Sequence, residues 1–100
     1  MTVAQMIKVK TSKYDELDQA HDAWKKATEG ERTVTRELIC ENRDAPGEYW
    51  IIVEFPSVEA ARQNNELPAT GRIALEMAKL AEGEPEYVNL DVRRMEEAED

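Results

Sequence analysis

Residues 31–55, ERTVTRELICENRDAPGEYWIIVEF, hold the feature that most restricts this chain. Two runs of alternating polar and apolar residues are separated by Asp44-Ala45-Pro46-Gly47. Alternation with period two means strands, and a short Pro-Gly turn between them means a hairpin. In the first run, Val34, Leu38 and Cys40 share a side with Arg36, while Thr33, Thr35, Glu37, Ile39 and Glu41 take the other. In the second, Tyr49, Ile51, Val53 and Phe55 oppose Trp50, Ile52 and Glu54, and Pro56 ends the strand. The more apolar side of each strand is expected to face the interior.

What flanks the hairpin repeats on both sides. Before it, VAQMIKVKT alternates, with Val3, Ile7 and Val9 on one face, Gln5 among them, and Met6 on the other. Ser12 with Asp15 approximates a capping box. Tyr14, Leu17, His21 and Trp24 then form one helical stripe that closes at Gly30. After the hairpin, Ser57 is placed to cap a second helix. That helix weakens at Asn64-Asn65, stops before Pro68 and restarts on it. Ile73, Met77 and Leu80 continue as a buried stripe to Gly83. The last strand places Val88, Leu90 and Val92 against Tyr87, Asn89, Asp91 and Arg93. The order β-α-β-β-α-β predicts an α+β, ferredoxin-like fold: four antiparallel strands with the helices on one face. The reading is one domain over residues 1–95 and an acidic tail over 96–100.

Charge narrows the partners. Twenty-two acidic residues stand against 13 basic ones, a formal net charge of -9, which disfavours nucleic acid and anionic membranes. No run of the chain is apolar enough to span a bilayer, the start lacks a signal peptide, and Cys40 is the single cysteine. A cytoplasmic protein is expected. The sheet face away from the helices should carry Met6, Ile39, Trp50, Ile52 and Tyr87 among polar residues. That is much apolar surface for one copy to leave in water, so a homodimer through Trp50 and Ile52 is expected.

Candidate chemistry is sparse. His21, the only histidine, is the best available general base, although a helix-face histidine more often hydrogen-bonds locally. Trp24 can stack on a planar ligand or simply fill the core. Asn64 can orient an oxygen-bearing group, or satisfy backbone groups at the helix break. Arg36, placed on the helix side, must pair, snorkel or meet an anion. Cys40 reads as a small buried hydrophobe. One histidine and one cysteine make a poor metal set, and no glycine-rich phosphate loop or nucleophile elbow is present. No cofactor and no metal are expected.

The order of elements and the stretch WIIVEFPSVEAA, followed by a helix broken at Pro68, resemble the dimeric α+β barrel proteins. The group most resembled is the antibiotic biosynthesis monooxygenase-like family, and the likeness runs to Arg94. Members typically place a site between helices and sheet, and some are cofactor-free oxygenases of polycyclic phenols while others degrade haem. The family often has histidines where this chain has Asn64 and Ala69, which argues against haem degradation. The resemblance implies a small aromatic or polyketide-like substrate, with His21 as proton acceptor and Asn64 as orienting group. Trp24, Arg36, Leu38, Phe55, Ile73 and Met77 would line the ligand. The alternative is a non-catalytic ligand-binding or protein-interaction module on the same fold.

Overall fold

In a computed structural model, described over residues 1–98, the chain forms β1 (Val3–Lys10), α1 (Tyr14–Ala27), β2 (Arg36–Glu41) and β3 (Glu48–Phe55). Next come α2 (Val58–Glu66), α3 (Pro68–Leu80) and β4 (Glu86–Asp91). All strand pairings are antiparallel, in the order β2-β3-β1-β4. This is the ferredoxin-like arrangement, with the second helix divided in two. Glu99 and Asp100, the end of the expected acidic tail, lie outside the described residues.

Local chemistry sets most of the boundaries. Ser57 Oγ accepts from Ala60 N–H at 3.0 Å and starts α2 as expected. Leu67 leaves the helical region at φ -66°, ψ 133°, which is the usual effect of the following proline, and Pro68 opens α3. Ser12 does not cap α1. Its helix begins two residues later without a side-chain cap, and Thr11 Oγ1 takes the Lys13 N–H instead.

The core lies between the helices and the two central strands. Ile7, Val9, Leu17, Ile51 and Met77 form one buried cluster, and Val3, Phe55 and Ala60 form another. The faces of β1 and β3 follow their alternation. Those of β2 and β4 are the reverse of the sequence expectation. Glu37 and Ile39 pair with Val53 and Ile51 and so share the helix-covered face. Arg36, Leu38 and Cys40 pair with Glu54, Ile52 and Trp50 on the outer face, and Cys40 is exposed rather than buried.

The cause is a slip just ahead of β2. Val34 packs against the Val3–Phe55–Ala60 cluster as its pattern suggests. Thr35 then donates its N–H to Glu54 O at 2.9 Å, while Arg36 is the register partner of the same Glu54. Two consecutive residues facing one is a β-bulge, and one extra residue turns every later side chain to the other face. Arg36 consequently meets the Glu54 carboxylate, Nη2 to Oε2 at 2.6 Å.

In β4 the pairing with β1 decides the faces. Ile7 opposes Tyr87 and Gln5 opposes Asn89, so these point to the helix side, whereas Val88 and Leu90 oppose Met6 and Ala4 outside. All of β4 is exposed, so neither side of this edge strand is sealed by the helix layer.

Candidate functional site

A cavity of ≈ 310 Å³ lies between the helices and the sheet. Its floor comes from the central strands through Ile7, Ile51, Val53 and Phe55, with Glu37 from β2 and Tyr87 from β4 at the sides. Its roof is built by His21 and Trp24 of α1, Asn64 of α2, and Thr70, Ile73 and Met77 of α3. The size falls at the small end of the usual range for ligand pockets, and the lining has the usual character: mostly apolar, with a few convergent polar groups.

The helical stripe of α1 explains two of those groups. Leu17 and Trp24 are buried on the sheet-facing side, and His21 lies between them on that stripe. The Trp24 indole N–H donates to Thr70 Oγ1 at 3.0 Å, tying α1 to the start of α3. The imidazole of His21 leans on the indole, with ring centroids 5.6 Å apart and planes tilted by 33°. Across the cavity mouth, His21 Nε2 stands 2.9 Å from Glu37 Oε2.

Asn64 is held by the helix break. As the third residue before Leu67 it gives its backbone carbonyl to the Leu67 N–H, so the main chain closes the helix end without help from the amide. The side chain faces the cavity, the residue is only 4% exposed, and Oδ1 has no hydrogen-bond partner among the described residues. An unpartnered buried acceptor costs about 1–3 kcal/mol. A hydrogen-bond donor entering the cavity would recover that cost. Tyr87 is 48% exposed, yet partial desolvation raises the pKa of its phenol further above the physiological range, and the hydroxyl is a neutral donor.

Of the residues singled out in the sequence, the cavity gathers His21, Trp24, Phe55, Asn64, Ile73 and Met77. Arg36 and Leu38 are not among its walls, because the bulge before β2 carries both to the outer sheet face. Glu37, Thr70 and Tyr87 were missed by the pattern. Glu37 looked solvent-facing by parity, and no glycine marks the bulge that reverses it. Tyr87 carried one usable signal, being the sole aromatic of its strand. Among the described residues, no group of three His, Cys, Asp or Glu side chains could hold a metal ion, and no helix is long and apolar enough to cross a membrane.

No protein-family model matches the sequence, and no curated protein matches it significantly. Solved structures do match. SnoaB, a cofactor-independent oxygenase from Streptomyces nogalater, superposes with a TM-score of 0.78 at 15% identity over 94% of this chain and 95% of that one. Rv0793 from Mycobacterium tuberculosis gives 0.76 at 18% identity, covering 99% and 100%. A Caulobacter crescentus protein, provisionally described as an antibiotic biosynthesis monooxygenase, gives 0.79 at 12% identity, covering 93% and 91%. At such identities the likeness establishes the fold: the chain shares the ferredoxin-like architecture of these structures.

Proposed function

We propose that the protein is a cofactor-independent, monooxygenase-like enzyme of a small aromatic or polyketide-like molecule. The observation that carries this reading is the cavity itself. It brings the only histidine and a buried, unpartnered asparagine oxygen into one apolar chamber. A polyhydroxylated phenol or enol needs a base to remove one proton and a fixed acceptor to orient a second hydroxyl. His21 supplies the first, Asn64 the second, and Trp24 with Ile73 and Met77 provides flat apolar walls. The carbanion so formed can react with dioxygen without a metal. The likeness in fold to a cofactor-independent oxygenase supports this reading.

Oxygen uptake with a panel of hydroxylated aromatics tests it, comparing wild type with His21→Ala. Turnover should fall about 10²–10⁴-fold in the variant, the range of a lost general base. Turnover that survives the substitution removes His21 from its role. Binding of the same compounds with no turnover by the wild type would leave a ligand-binding module instead. Gly71 is exposed at the cavity wall, and a Cβ there would meet nothing within 4 Å, so Gly71→Leu should leave the fold intact and weaken binding.

We also propose that two copies pair through the outer sheet face and act in the cytoplasm. Leu38, Val88 and Leu90 are 39%, 41% and 40% exposed there, beside Met6, Trp50 and Ile52. The reversed edge strands make this face more apolar than its alternation promised. Sedimentation at low concentration should return a dimer, and a monomer would contradict the proposal.

A further inference from the structure

The carboxylate beside His21 has no counterpart in a simple apolar pocket. Glu37 sits in a strand face shared with Ile39 and Val53, and its side chain is only 17% exposed. Holding an ion there is unfavourable unless it is paired. The one cationic or potentially cationic group within 4 Å of it, among the described residues, is the His21 imidazole. A bare imidazole nitrogen and a carboxylate oxygen would repel at 2.9 Å, so the contact is favourable only when one of the two carries a proton. With the carboxylate ionised, that proton is on Nε2, and in the neutral ring Nδ1 then keeps the lone pair. The ring is also held from the side by Trp24, which Thr70 fixes in turn.

We infer that Glu37 is the positioning residue of this site. It fixes His21 as the Nε2–H tautomer, leaves Nδ1 to accept the ligand's proton, and restricts ligands to neutral molecules bearing an acidic O–H or C–H. The inference rests on the reading of His21 as the proton acceptor. In the step itself, the ligand's proton moves to Nδ1 and the ligand keeps the electron pair as an anion. The imidazolium formed is stabilised by the adjacent Glu37 charge. The same charge repels any ligand that arrives already anionic, because a half-buried carboxylate is poorly screened.

One histidine in the chain makes the test clean, since ¹⁵N-labelled imidazole gives a single set of long-range ¹H–¹⁵N correlations. Wild type at a pH where the ring is neutral should show a protonated Nε2 and a bare Nδ1. Glu37→Gln, whose amide can donate to the ring nitrogen as well as accept from it, and Glu37→Leu should each release that tautomer to a mixture. A wild-type mixture, an Nδ1–H form, or an unchanged pattern in Glu37→Leu would overturn the inference. The charge filter is read with 2-naphthol and 2-naphthoate, matched in size. Wild type should bind the neutral probe at least about tenfold more tightly, and Glu37→Gln should close the gap. Equal binding by the wild type would overturn the filter. These readouts do not depend on turnover. A correct tautomer and filter with no oxygen uptake therefore sink the oxygenase reading alone.

Discussion

The two faces of this sheet are made by alternate residues of the same strands, yet they differ in what covers them. The inner face of β1 and β3 is closed by helices, with Val9 at 0% and Phe55 at 1% exposure. The outer face carries Leu38, Val88 and Leu90 in the open, interleaved with Arg36–Glu54 and with Lys8 between Glu48 and Glu86. Hydrophobic residues on the two faces therefore do different work. Inside, their contacts hold the monomer together. Outside, they contribute to stability only when a second surface arrives.

The largest expected effect breaks the inner face. Phe55→Ala removes a side chain packed against Val3 and Ala60 and should cost about 3–5 kcal/mol in urea unfolding. A loss below about 1 kcal/mol would mean that the inner face is no tighter than the outer one. Next, Trp50→Glu on the outer face should weaken self-association by about 2 kcal/mol or more while monomer secondary structure stays intact. Unchanged sedimentation would remove Trp50 from the proposed interface. Arg36→Ala sharpens the same contrast. Its ion pair with Glu54 is on the outer face, with the Arg36 side chain 66% exposed but that of Glu54 only 13% exposed, so the loss should exceed that of a fully exposed pair and reach about 1–2 kcal/mol.

The smallest effect is a pH dependence. Glu48 accepts from Asn42 Nδ2 at 2.8 Å and from Trp50 Nε1 at 3.1 Å, and these bonds, with Lys8 nearby, lower its pKa from the ordinary 4.5. A lowered folded-state pKa means stability that is present above the unfolded value and is lost as pH falls through the folded one. Acid unfolding below about pH 4.5 should therefore carry a Glu48 component that Asn42→Ala diminishes. Identical acid profiles would show that the bond adds nothing.

Legibility followed position in the sheet. β1 and β3 have neighbours on both sides and a helix layer on one face, so an apolar side had to be an inner side. Val3, Ile7, Ile51 and Phe55 could be placed from alternation alone, and Ser57 and Pro68 from cap and proline chemistry. The stripe Leu17–His21–Trp24 and the position of Asn64 at the break were legible for the same local reasons. The edge strands were not. In β4, Val88 and Leu90 are the apolar side, yet they face outward, because pairing with β1 sets them beside Met6 and Ala4 and nothing local records that register.

The sequence by itself determined the order of elements, the helix break and the inner faces of the central strands. Each of these depends on torsional preference or on a period repeated over a few residues. Tertiary structure alone decided what the edge strands bring to the site. One extra residue opposite Glu54 turns Arg36 and Leu38 away and brings Glu37 to His21, sixteen residues earlier in the chain. A bulge is fixed by the register of two paired strands, and the strand that carries it holds no local mark of the slip.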